Sequence, residues 1–226
     1  MKKFNYIFDS NLIQSRLMDF KSPERLSLHH ERFINAAIVI LIIPHKTKPY
    51  DLVLIKRTTR ENDKHSGEMA FPGGKFDQKL DNDYLDTALR ELKEEMGIRN
   101  SEVQIIGCID DHITPKGYII TPFIACTSKN QKIVKQETEV HEILKIPINF
   151  FADKQHYSEK IFHVRGNLIA LGTYEYISPE NRTKYKIFGA TAHCIVNYIE
   201  RVHMTQLTTP GSRRATIDDI KDNLAR

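Results

Sequence analysis

The chain has 226 residues, 33 basic and 29 acidic, for a formal charge of +4, with 40% hydrophobic and 27% charged residues. That balance suits one folded domain with a real core and excludes a disordered chain, and so mild a charge is no nucleic-acid footprint but suits a small anionic partner. Three widely spaced cysteines, Cys108, Cys126 and Cys194, argue against a disulfide framework or a zinc site and for a reducing compartment.

The opening run MKKFNYIFDSNL breaks at Asp9 before any apolar stretch of signal length, and no run of ~18 apolar residues occurs later, so no membrane partner and a cytoplasmic location are expected. Leu12, Ile13, Leu17 and Phe20, placed behind Ser10 or Asn11 as a cap, predict a short amphipathic helix within residues 10–20. Residues 36–43, AAIVILII, form a β-branched run that reads as a strand buried on both faces. After the turn-like HKTKPYD, Leu52 to Ile55 reads as its hairpin partner, delivering Lys56 and Arg57 at its end. That basic pair either meets phosphates or is a solvated strand end. Thr58 to Glu68 is polar and aperiodic, a loop that contains His65.

Residues 71–98, FPGGKFDQKLDNDYLDTALRELKEEMGI, organise the rest. Leu85, Ala88, Leu89, Leu92 and Met96 recur at three- and four-residue steps, the buried stripe of a helix, while Glu91, Glu94 and Glu95 share an adjoining face. Asp81 or Asp83 supplies the N-cap and Gly97 the left-handed stop. Gly73 and Gly74 let backbone approach a ligand or ion. Three convergent carboxylates repel one another unless a cation sits between them, and hard ions such as Mg²⁺ favour such oxygens together with substrate phosphates. Taken alone, a Glu-rich run such as ELKEE is most often just the solvated face of a helix.

Residues 103–109 and 117–126 read as strands joined by DDHITPK. In ETEVHEILKIPINFF, residues 137–151, Glu137, Glu139 and Glu142 surround Val140. Ile187 to Ala192 opens a helix running to about Val202, with Ala192, Ile195, Val196 and Ile199 on one stripe. TTPGSRR, residues 208–214, reads as a flexible joint, and Ile217 to Leu224 as a short tail helix.

The glycine pair followed by Arg90-Glu91-Leu92-Lys93-Glu94-Glu95-Met96-Gly97-Ile98 resembles the signature box of the Nudix hydrolases, which split a nucleoside diphosphate linked to another moiety. The tail of the box fits residue for residue. Its front does not: counting back from Arg90, the first Glu of the box falls at Asn82 and the first Gly at Phe76. A two-residue insertion accounts for this and leaves Asp81 or Asp83 to take the missing Glu's place. The insertion, together with Leu54-Ile55-Lys56-Arg57, His65-Ser66-Gly67 and Phe71-Pro72-Gly73-Gly74, resembles the coenzyme A pyrophosphatase branch, as does Thr114 to Tyr118. Thr58 stands where Ser is usual.

The resemblance implies an α/β (α+β) sandwich with a mixed sheet between helices over residues 34–203, flanked by a helical extension (1–33) and a tail (204–226). It further implies Mg²⁺ or Mn²⁺ held by Glu91, Glu94 and Glu95 with backbone of Gly74, and catalysis by Glu94 and Glu139 with Arg90 as salt-bridge partner of the carboxylates. Arg57, His65, Phe71 and Gly73 would contact the substrate. The expected reaction is cleavage of coenzyme A or an acyl-coenzyme A to 3′,5′-ADP and 4′-phosphopantetheine or its acyl form. Alternatives are another nucleoside diphosphate derivative, such as ADP-ribose, NADH or an oxidised nucleotide, or a non-catalytic nucleotide-sensing or protein-binding module. No nucleic-acid partner is expected, and a homodimer is left open.

Overall fold

The computed structural model describes residues 6–59 and 66–220. Helix α1, Ser10–Arg16, is capped by Asp9, whose Oδ1 accepts the Leu12 amide at 3.0 Å. The cap therefore falls one residue before the expected Ser10 or Asn11, because Asp9 has the extended backbone from which a carboxylate reaches back to the first turn. The helix also stops short of Phe20, Leu17 being extended.

The central strand is β1, Ile34–Ile43. Ala37, Val39, Leu41 and Ile43 enter one core, while Ile40 and Ile42 enter the other, so the strand is buried on both faces as its unbroken β-branched run requires. Strand β2, Asp51–Arg57, pairs antiparallel with the C-terminal end of β1, with Leu41 opposite Val53. The two strands then diverge. Into the fork go β3, Met69–Ala70, paired with β2 at Ile55 and Lys56, and β4, Gly73–Lys75, paired with β1 at Ala36 to Ile38.

Helix α2, Tyr84–Met96, has Asp83 as N-cap, accepting from Asp86 N at 2.9 Å, and Gly97 as a left-handed C-cap. Ala88, Leu92 and Met96 face the sheet. Strands β5, Val103–Cys108, and β6, His112–Ile113, pair with β7, Tyr118–Thr127, which runs parallel to β1. Strand β8, Val140–Pro147, pairs with β2 and completes an eight-stranded mixed sheet. The buried Arg25–Asp111 pair, 2.5 Å apart, fastens the N-terminal segment to it.

Short α3, Ile148–Ala152, leads to a second sheet absent from the sequence reading: β9, Tyr157–Val164, β10, Asn167–Ile177, and β11, Lys184–Phe188. Helix α4, Gly189–His203, then packs on the face of the large sheet opposite α2. The expected flexible joint is instead partly β-structure. Ser212–Arg213, β12, pairs parallel with β10, and Asp219 of α5, Ile217–Ile220, takes both Arg213 Nη1 (2.6 Å) and Nη2 (2.9 Å). Residues 221–224 of the expected tail helix lie outside the described residues. No helix among the described residues is long and apolar enough to cross a membrane.

His112, His193 and His203 are buried. His203 Nε2 lies 2.7 Å from the Tyr50 hydroxyl, which meets the Tyr198 hydroxyl at 2.7 Å. His193 stacks on His112 with ring centres 4.9 Å apart. Burial pushes His193 and His203 down to about 4 and His112 well below the usual imidazole range, since the interior disfavours the charged ring. A lowered folded value means that the unfolded chain binds the proton first. The stability these rings allow is then complete above about pH 6.5 and is lost as pH falls towards 4. In urea titrations, wild type should lose about 2 kcal/mol more unfolding free energy between roughly pH 6.5 and 4.5 than His193→Leu, which removes one such ring. Equal losses would place the acid sensitivity elsewhere.

Candidate active site

A cavity of about 520 Å³ opens where the fork between β1 and β2 meets the ends of α2 and α4. Helix α2 contributes Glu91 and Glu95, the fork Phe71, Gly73 and Gly74, and the end of β2 Arg57. Glu139 enters from the segment before β8.

Gly73 makes this arrangement possible. Its φ is 151°, and a Cβ there would strike the Ala37 carbonyl and lie 2.6 Å from Ile38 Cα. Its amide is left free to donate to Glu95 Oε2 at 3.0 Å. At Gly74 a Cβ would run into the Glu91 carboxylate, so that carboxylate lies against bare backbone. Glu95 is buried and its carboxyl is pushed up to about 8, first by desolvation and further by Glu91 and Glu139; the Gly73 amide and Arg57 oppose the shift. Burial also raises Glu91, while Arg90 counteracts it and Glu94 and Glu139 add to it. Glu91, Glu95 and Glu139 thus feel one another's charge across one cavity.

Glu94 does not converge with them. Its side chain is 54% exposed and accepts from Arg90 Nη1 at 3.2 Å, and it is not part of the cavity lining. The expected convergence of all three box glutamates is corrected by this geometry: Glu94 lies on the outer side of the helix, paired with Arg90 one turn earlier. Among the described residues, no three His, Cys, Asp or Glu groups are already clustered as a metal site. The inner pair nevertheless suits a hard divalent ion, because buried oxygen donors whose ionisation is suppressed by burial and mutual repulsion gain from a cation.

Arg90 is the frame of the box. Its Nε and Nη2 donate to Asp81 Oδ1 (2.8 Å) and Oδ2 (3.0 Å), and Nη1 donates to Glu91 Oε1 at 2.8 Å. Asp81, which also accepts from the Thr87 hydroxyl at 2.9 Å, is held down at about 2, chiefly by Arg90. Of the two candidates for the missing box carboxylate, Asp81 therefore pairs with the arginine while Asp83 caps the helix. Glu139 is positioned by its backbone: its amide donates to Gln136 Oε1 at 2.9 Å and its carbonyl accepts from Thr58 N at 2.9 Å. Gln136 N reaches the Glu95 carbonyl at 3.0 Å, which ties this segment to α2. His65 lies outside the described residues. Nothing in the sequence pattern marks Phe188 to Thr191 as lining; they reach the cavity through the second sheet and the start of α4.

A carboxylate helix crossing a glycine strand beside an open cavity suits a class of site that binds a divalent ion and a small anionic ligand, and comparison with known proteins gives the family. The model described as the NUDIX domain matches residues 33–160, and the chain belongs to the Nudix family. It is similar to the uncharacterized Nudix hydrolase NudL of Pectobacterium atrosepticum, 32% identical over 127 residues covering 56% of this chain and 63% of that protein. It is also similar to the mouse peroxisomal coenzyme A diphosphatase NUDT7, 31% identical over 130 residues covering 58% of this chain and 55% of that protein. The match thus spans less than two thirds of either relative. Of solved structures, a MutT/nudix family protein from Enterococcus faecalis superimposes with a TM-score of 0.46 at 14% identity, covering 80% of this chain and 66% of that one. Enzymes of the family act on small nucleotide derivatives and generally use divalent metal ions.

Asp81→Asn keeps the shape of the side chain but leaves Arg90 without its bidentate partner. Arg90 keeps Glu91 as a partner, so stability in urea should fall by about 1.5 to 3 kcal/mol, the worth of the charge-assisted hydrogen bonds lost. A loss under about 0.5 kcal/mol would show the pair to behave as a surface one.

Proposed function

We propose that the chain is a metal-dependent pyrophosphatase that cleaves coenzyme A or an acyl-coenzyme A to 3′,5′-ADP and 4′-phosphopantetheine or its acyl form. The observation that carries the reaction type is the convergence of Glu91, Glu95 and Glu139 on one cavity beside the backbone of Gly73 and Gly74. The substrate rests on the run from Leu54 through Arg57 and His65 to the glycines, and on the similarity to a relative named as a coenzyme A diphosphatase.

In this reading, Glu91 and Glu95, with Glu94 and the backbone of Gly74, would hold Mg²⁺ or Mn²⁺. The bound cation supplies neutralisation of phosphate charge and a water acidic enough to lose a proton near neutral pH. Glu139, which faces the same cavity, would act as the base, taking a proton from the water whose oxygen bonds to phosphorus as the bridging P–O bond breaks with its electron pair on the leaving phosphate. Arg57, His65, Phe71 and the Gly73 backbone hold the substrate, while Arg90 fixes Glu91 from outside the cavity.

Three measurements test this. Glu95→Gln should lower kcat by ~10²–10⁴ while the variant remains folded, the loss expected when a ligand that organises metal and water is removed. Turnover at the wild-type rate, or full wild-type activity in excess chelator, would defeat the metal assignment. Glu139→Gln should depress kcat with little change in KM, because a base acts only as the proton moves, whereas an unchanged kcat at every pH would remove it from the mechanism. In a hydrolysis screen with products identified by mass, coenzyme A should exceed ADP-ribose and NADH in kcat/KM by at least about tenfold, the worth of one charge-assisted contact to its 3′-phosphate. Rapid ADP-ribose cleavage with coenzyme A untouched would transfer the reading to another nucleoside diphosphate derivative.

A further inference from the structure

The cavity has two chemically different walls. One carries the glutamates and the glycine backbone. The other is built around Phe188, Gly189 and Ala190 at the junction of β11 and α4 and Tyr118 at the start of β7, and the cavity lining outside the glutamate wall also includes Lys75, Lys116 and Glu68. Phe188 to Ala190 lie beyond residues 33–160, so they are not part of the segment shared across the family. Along β11 the buried residues are Tyr185 and Ile187, and the outward positions are Lys184, Lys186 and Phe188. Phe188 is an aromatic ring 42% exposed in a set otherwise filled by lysine, and it borders the cavity. Beside it Gly189 leaves open space, with nothing within 4 Å of where a Cβ would stand. Lys186 Nζ lies 5.7 Å from the Phe188 ring centre and Lys75 Nζ lies 5.7 Å from that of Tyr118, so each of these two rings is accompanied by a cation.

We infer that Phe188 and Tyr118 form the seat of the substrate's nucleobase, a planar heteroaromatic group such as adenine, with the adjoining lysines favouring the phosphates attached to it. The inference rests on the pyrophosphatase reading above and adds which wall takes the base. A flat aromatic ligand gains on such rings by stacking and needs no hydrogen bond for it, whereas the glutamate wall would repel the phosphates without a cation. Phe188 is thereby a binding residue that discriminates nucleotides from simple phosphates.

The test is equilibrium binding of AMP and, separately, of inorganic pyrophosphate to the full chain in Mg²⁺, comparing wild type with Phe188→Ala, Phe188→Tyr and Tyr118→Leu. Phe188→Ala and Tyr118→Leu should each weaken AMP about tenfold, the worth of one stacked ring, and leave pyrophosphate unchanged, while Phe188→Tyr restores AMP affinity. In turnover, Phe188→Ala should raise KM and spare kcat. Should the alanine variant fail to fold by circular dichroism, Phe188→Leu keeps apolar volume without the ring and is expected to show the same loss. The inference is overturned by wild-type AMP affinity in the folded Phe188 variants, by equal losses for AMP and pyrophosphate, or by a selective loss of 4′-phosphopantetheine, which would give this wall to an apolar arm. It is overturned equally by a wild type that does not bind AMP. If wild type hydrolyses no nucleoside diphosphate derivative, the pyrophosphatase reading itself fails; if hydrolysis proceeds while Phe188→Ala binds AMP normally, only the base seat fails.

Discussion

The close approach of backbone to backbone at Gly73 is the constraint on which the site depends. Strands β1 and β2 pair at their hairpin end and splay at the other, and the fork is closed by the run from Met69 to Lys75. With Ala37 O in the way, no side chain fits at position 73. A glycine there does two things at once: it lets β4 join β1, and it leaves an amide directed at Glu95. A larger residue would have to move the strand, and with it the donor that partly offsets the burial of that carboxylate.

Electrostatics and packing pull in opposite directions at α2. Ala88, Leu92 and Met96 draw the helix onto the sheet and thereby carry Glu91 and Glu95 into an environment that disfavours their ionised forms. Apolar burial on the inner stripe sustains that cost, and the Asp81–Arg90 pair on the outer edge keeps Glu91 aimed at the glycines. Such tension is wasteful in a structural helix and useful in one that awaits a cation.

The second sheet extends this catalytic core. It brings α4 across the face opposite α2, and with it a wall from a stretch of chain nearly a hundred residues beyond the box glutamates. The cavity is thus lined both by residues of the segment that the family model matches and by residues C-terminal to it.

Local signals in the chain determined the elements that fold by short-range rules. The run AAIVILII required a strand buried twice, the three-four spacing of Leu85 to Met96 required a helix, and Asp83 and Gly97 closed its ends where capping chemistry demands. The box glutamates were legible for the same reason, since helical spacing fixes which side chains share a face. Only tertiary structure decided which of them turn inward: Glu91 and Glu95 line the cavity, while Glu94 lies outside it and pairs with Arg90, itself held by Asp81 across the inserted segment. Tertiary structure likewise turned Ser212–Arg213 from an expected joint into a strand, and set Phe188 beside the site. Strand pairing and cavity walls join residues far apart in the chain, and a residue's own sequence neighbours carry little trace of such a partner.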